Sequence, residues 1–240
     1  ERPETKADGT FINKGTVVNH GAVSVNGIMT NAGTLNGSGW ADVSGRYATL
    51  NNTGTVELTG FTANCSAWVN NSGSGKLIVS EFGYWSVETD AEIWLSHSSS
   101  LTVRSGGTLA INSEDSDYLD AAVYFYDTAA LRMEPGTLLD NRGMIWMDSE
   151  EITVSMGGYF LCPEDNGSVG GVGAYLLLGV RNMAEVKTED ALREALVNPL
   201  ITRIELRDDI TLTNDNATLR AGVELTVPGP YTLTVPSGVT

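Results

Sequence analysis

The sequence predicts an all-β chain wound as a right-handed parallel β-helix, a solenoid of stacked coils. Three observations lead there. An Asn-x-Gly phrase recurs at nearly constant spacing, short runs of alternating apolar residues lie between its copies, and the composition is rich in turn formers, with 27 Gly but only 14 Lys plus Arg in 240 residues.

The phrase appears as Asn13-Lys14-Gly15-Thr16-Val17, Asn31-Ala32-Gly33-Thr34-Leu35 and Asn52-Thr53-Gly54-Thr55-Val56, with a degenerate copy at Asn71-Ser72-Gly73. Its asparagines are 18, 21 and 19 residues apart (13 to 31, 31 to 52, 52 to 71). Gly107-Thr108-Leu109, Gly136-Thr137-Leu138 and Asn141-Arg142-Gly143 keep parts of it. Glycine at such a turn predicts a backbone in the positive-φ region. The strands between turns read Val23 and Val25, Leu77 and Val79, Ile93 and Leu95, Leu101 and Val103, each pair pointing to one side. A unit of about 20 residues cannot bury its own apolar face, so successive units must stack. Equivalent asparagines, Asn13, Asn31 and Asn52 above all, then form a hydrogen-bonded ladder. A β-sandwich of hairpins is the competing architecture, but its turns need no common period.

Residues 1–180 are expected to hold these repeats, interrupted by irregular loops near 113–120 and 163–173. Residues 181–240 are expected to open on a capping helix and continue as further coils. Thr188 is a good N-cap, Glu189 and Asp190 suit the first turn, and Leu192 and Leu196 form one apolar stripe. Asn198-Pro199 ends this helix, the one predicted, near 189–197. Strands are expected to resume at Ile201–Leu206, Ile210–Leu212, Val223–Val227 and Tyr231–Val235. The chain stops in mid-pattern at Pro236–Thr240, which suggests part of a longer surface protein.

The stretch Val186-Lys187-Thr188-Glu189-Asp190-Ala191-Leu192-Arg193-Glu194-Ala195-Leu196, followed by Ile204-Glu205-Leu206-Arg207-Asp208-Asp209-Ile210-Thr211-Leu212, resembles the opening of pectate-lyase-like β-helix modules. The earlier coils resemble, more loosely, the repeats of adhesin-like β-helical proteins. The resemblance implies a surface protein of host-associated bacteria, exported to the cell surface or beyond, in which a short helix caps a solenoid end.

Composition narrows the partners. A formal net charge of −16 disfavours nucleic acid and anionic membrane, since both need basic groups against phosphate. No run of apolar residues is long enough for a membrane-spanning helix. Cys65 and Cys162, 97 residues apart, are expected about five coils and roughly 24 Å from each other, beyond the roughly 7 Å of a disulfide.

The resemblance raises an enzyme question, because many right-handed β-helices cleave acidic polysaccharides, but fold alone does not carry activity. His20 and His97 lie outside any Gly-His-Gly setting, and Asp208-Asp209, the sole Asp-Asp pair, reads as a solvated turn. The acid and base pair for glycoside cleavage is not identifiable. The cluster Glu114, Asp115, Asp117 and Asp120 lacks EF-hand spacing and reads as a solvated loop. No catalytic residue, metal ligand or cofactor is therefore assigned.

The aromatic residues carry the functional signal. Alternation turns Trp40 outward beside Asp42, Trp94 outward beside Glu92, and Trp146 outward beside Asp148, with Tyr124 and Tyr126 also outward. A flat apolar ring next to a carboxylate suits a sugar, whose C–H face stacks while its hydroxyls reach the acceptor. The expectation is a non-catalytic extracellular module that adheres to, or binds, a polysaccharide or host glycan. Rings packed beneath a loop or a neighbouring domain would instead mark a structural stalk, and converging carboxylates in a groove a polysaccharide-degrading enzyme.

Overall fold

The computed structural model describes residues 9–112, 121–163, 167–213 and 217–235. The chain is a parallel β-solenoid of about 10 turns, with two short helices among the described residues. Among the described residues no helix is long and apolar enough to cross a membrane. The acidic cluster at 114–120 lies outside the described residues.

Each early coil contributes strands to three faces. The first face stacks Thr10–Asn13, Ile28–Asn31, Thr49–Asn52, Trp68–Asn71, Glu92–Leu95, Ala122–Phe125, Met144–Met147 and Ser168–Gly170. The second and third faces share one hydrogen-bonded sheet, because the long strands Thr34–Ser44, Thr55–Asn64 and Lys76–Glu88 run round the corner between them. Register shifts at Gly37/Trp40 and Leu58/Gly60 mark that bend. In later coils the corner breaks the strand, leaving Ser100–Val103 on the second face and Thr108–Asn112 on the third. All strand pairs among the described residues are parallel, and along most strands the pleat turns alternate residues inward: Leu35, Val56, Leu77 and Leu101 on the second face, and Ala41, Phe61, Trp85 and Leu109 on the third. Trp85 is fully buried, stacks on Phe61 at 4.6 Å and donates its indole N–H to Leu58 O at 2.9 Å.

The asparagine ladder forms. Asn13, Asn31 and Asn52 each donate Nδ2 to Oδ1 of the next asparagine at 2.7, 2.8 and 2.7 Å, the last acceptor being Asn71. All four are buried. The same register position continues as Leu95, Phe125 and Met147, so the polar ladder gives way to an apolar column. Asn141, in the later partial phrase, stands on the third face and donates to Ser168 O instead.

The reason for glycine in the phrase is corrected by the structure. Among Gly15, Gly33, Gly54 and Gly73 only Gly73 has a positive φ, 62°. Gly33 and Gly54 are there because turns stack too closely for a side chain: a Cβ would lie 2.0 Å from Gly15 O and 2.1 Å from Gly33 O, respectively. The period also drifts. Partners on the first face step by 18, 21 and 19 residues from Thr10 to Ile28, Thr49 and Trp68, then by 24, 30, 22 and 24 to Glu92, Ala122, Met144 and Ser168. Longer coils bring the cysteines nearer than expected, since Cys162 follows Leu161 and the third-face register counts only four steps back to Ala63, about 19 Å. Both cysteines are free.

Helix α1 (Ala174–Leu178) was not predicted; helix α2 (Glu189–Val197) has the expected bounds. Thr188 Oγ1 accepts from Ala191 N–H at 3.2 Å, the capping bond that the sequence signals. The helix lies in the crossover between the parallel strands Met183–Val186 and Arg203–Leu206 of the third face. Its Leu192, Ala195 and Leu196 belong to a second apolar cluster running from Ala184 to Leu212, while the first runs from Val25 to Leu177. The sheet itself is continuous across 161–183 through the Leu161–Met183 pairing.

Candidate functional site

All three predicted tryptophan–carboxylate pairs face outward, but they do not gather in one site. Trp40 and Asp42 lie on the third face. Glu92, Trp94, Trp146 and Asp148 lie along the first, where Trp94, Tyr124 and Trp146 occupy one register position on successive strands. Two strand steps, about 9.6 Å, separate Trp94 from Trp146.

Ring orientation divides these tryptophans into two kinds. Trp94 belongs to a stack: its centroid is 6.3 Å from Trp68, 4.6 Å from Tyr124 and 5.4 Å from Tyr126, with interplanar angles of 27°, 29° and 13°. Near-parallel rings at that spacing cover each other's faces and leave mainly edges for solvent. Its indole N–H donates to Glu92 Oε2 at 2.8 Å, so the carboxylate expected to serve a ligand is engaged by the ring.

Trp40 and Trp146 are different. Each leans over a glycine of the next coil. A Cβ on Gly60 would fall 2.0 Å from Trp40 Cε3, and one on Gly170 would fall 2.7 Å from Trp146 Cζ3. The rings fill the space those side chains would take, and both stay well exposed, at 41% and 37%. Glycine under an aromatic ring gains a cover it lacks on its own. Trp146 donates its indole N–H to Asp148 Oδ1 at a long 3.3 Å.

The surroundings are acidic. Burial pushes the Tyr124 and Tyr126 hydroxyls above the ordinary tyrosine range; Glu92 adds to this for Tyr124, and Asp148 and then Glu92 for Tyr126. Partial burial likewise raises the Asp42 carboxyl, and Glu88 raises it further.

The residues weighed for catalysis lie apart. Asp208 and Asp209 are exposed; Asp208 Oδ1 accepts from Asp209 N–H at 2.7 Å, and Asp209 Oδ1 from Thr232 N–H at 2.8 Å. His20 is exposed beside Ser38 Oγ, and His97 lies in an exposed corner where its N–H donates to Asp127 Oδ2. Among the described residues no three His, Cys, Asp or Glu side chains are grouped to hold a metal ion.

The sequence reading missed Trp68, whose ring extends the first-face stack, although its outward register beside Asn70 is readable by alternation. It also missed the glycines beneath Trp40 and Trp146, which belong to other coils and are found only once register is known. Comparison with family models, with curated proteins and with solved structures gave no match.

Proposed function

We propose that this protein is a non-catalytic, extracellular, adhesin-like surface module that binds a polysaccharide or host glycan. One observation carries the reading: Trp40 and Trp146 each lie over a glycine with much of the ring open to solvent and a carboxylate, Asp42 or Asp148, two residues on. A rigid sheet holds such a ring ready, so little ordering entropy opposes stacking of a sugar. The assignment to adhesion rather than cleavage is supported by the exposed Asp208 and Asp209, whose oxygens accept backbone amides. A purely structural stalk is the second reading, favoured by the Trp68–Trp94–Tyr124 stack, in which rings serve one another.

Glycan-array binding of the protein and of Trp40→Ala, Trp94→Ala and Trp146→Ala separates the two. Glycan binding predicts that Trp40→Ala or Trp146→Ala weakens binding several-fold in a folded variant, while Trp94→Ala acts mainly on stability. No binding across a broad panel, or binding indifferent to all three replacements, favours the stalk. Release of reducing ends from any polysaccharide tested would overturn the non-catalytic assignment.

A further inference from the structure

The corner between the second and third faces carries exposed rings that alternation does not single out. Phe82 is 81% exposed, and its backbone stands at φ 55°. A bulky side chain in this region is strained, and such strain collects where a fold must present a group to a ligand. The Phe82 N–H donates to Ser105 O at 3.2 Å, which ties the corner to the next coil. The ring lies over Gly106, where a Cβ would meet it at 2.5 Å. Two residues on, Tyr84 is 44% exposed, and its register partner is Gly60, the glycine that Trp40 covers. Trp40 and Tyr84 thus flank Gly60 on the coils either side of it, and Phe82 lies on the same strand as Tyr84, two residues away, with glycines at 60 and 106 making room for two of the three rings.

The rim of this ridge is acidic. Glu81 is exposed beside Phe82, Asp42 lies two residues from Trp40 with Glu88 near enough to raise its carboxyl, and Arg104 is engaged by Glu57 at 2.7 Å. A polyanion would meet repulsion here, whereas uncharged hydroxyls would find acceptors. From Trp40 to Tyr84 is two strand steps, about 9.6 Å, so a ligand that touches every ring must be several sugars long.

We infer that Trp40, Tyr84 and Phe82 form one extended site for a neutral polysaccharide, with Asp42 as a hydrogen-bond acceptor; this rests on the glycan-binding reading above. Phe82 is held in a strained conformation because the site needs its ring outward. Replacing it by glycine relieves the backbone while removing the stacking surface.

The test is calorimetric titration of the whole chain with two neutral polymers, a β-glucan and a mannan, and two acidic ones, polygalacturonate and a sulfated glycosaminoglycan. Wild type, Phe82→Gly, Trp40→Ala and Trp146→Ala are compared. The expected result is binding of a neutral polymer that falls at least tenfold in Phe82→Gly and in Trp40→Ala. The thermal midpoint of Phe82→Gly should equal or exceed that of wild type. Preference for a polyanion, or neutral binding that only Trp146→Ala weakens, overturns this inference and leaves the broader glycan reading standing. Loss of binding in Phe82→Gly together with a lowered midpoint also overturns it, because the ring would then be packing. No binding to any of the four polymers overturns this inference, and no binding across the glycan array overturns the reading beneath it as well.

Discussion

At the scale of single residues, the buried asparagines show how a polar side chain becomes structural. Asn52 donates to Asn71 Oδ1 and to the carbonyls of Gly54 and Lys76, and accepts from Asn31, so both ends of its amide are used. Asn52→Leu would orphan the buried Asn71 Oδ1 and remove one bond from Asn31. It should lower stability by about 2–4 kcal/mol, since each buried group left unsatisfied costs about 1–3 kcal/mol. Chemical denaturation reads this out, and a cost under about 1 kcal/mol would mean that water replaces the ladder. The ladder was legible because identical residues recur at the stacking period. The glycine role was not, because Gly33 and Gly54 are demanded by the carbonyl of the coil below and not by their own φ. Gly60→Ala tests the same principle at the candidate site. Its methyl would collide with the Trp40 ring and drive it off the sheet, giving a shifted Trp40 indole resonance and weaker glycan binding; an unmoved resonance would show that the ring does not rest there.

At the scale of elements, α2 was legible to the residue because its signals are local: Thr188 caps it, acidic residues fill its first turn and Asn198-Pro199 follows. Helix α1 has none of these, with no side-chain cap at Gly173, no acidic residue in its first turn and only five residues. The end of α2 is pinned by Glu189, whose carboxylate accepts from Thr213 Oγ1 at 2.6 Å, from Thr213 N–H at 3.0 Å and from Arg193 at 2.6 Å. The Thr213 hydroxyl first, then Arg193 and the Thr213 amide, hold its carboxyl down to about 2, against an ordinary value of 4.5. A depressed carboxyl contributes stability that is full above the ordinary value and disappears as pH falls through the folded one. The link between α2 and Thr213 should therefore weaken between pH 4.5 and about 2. An NMR titration of the Glu189 side chain should give a midpoint near 2, abolished in Glu189→Gln; a midpoint near 4.5 would show that the link is not formed in solution. The three tryptophan–carboxylate pairs sort by the same logic of neighbours. Alternation correctly turned Trp40, Trp94 and Trp146 outward, but whether a ring stacks or lies open depends on the residue one coil away: Tyr124 for Trp94, Gly60 for Trp40, Gly170 for Trp146.

At the scale of the whole molecule, a solenoid is held by nearest-neighbour contacts, so its stability is local along the axis and its weakest junction decides where opening begins. The junction between the two apolar clusters is crossed by a charged staple. Glu185, with 5% of its side chain exposed, accepts from Arg142 at 2.7 Å and from Arg207 at 2.6 Å, while Arg142 also holds Asp140. The staple joins Leu138–Arg142, which belongs to the first cluster, to Met183–Val186 and the turn after Arg203–Leu206, which belong to the second, and no apolar cluster spans the step between them. Removing one partner of a fully buried pair costs about 3–5 kcal/mol, because the remaining charge is left desolvated. Both guanidiniums here reach water, so Glu185→Ala should cost less, about 2–3 kcal/mol. The loss should be confined to one end. Amides of Met183–Val186, Arg203–Leu206 and Glu224–Thr226 should exchange faster by roughly 30- to 150-fold if opening becomes easier by that amount, at about 1.4 kcal/mol per factor of ten. Those of Leu50–Asn52 and Val69–Asn71 should keep wild-type protection, because the asparagine ladder and the first apolar cluster do not pass through Glu185. Hydrogen-exchange mass spectrometry distinguishes this from the alternative: uniform loss of protection along the chain would mean that the solenoid opens as one cooperative block and that the staple is not a boundary.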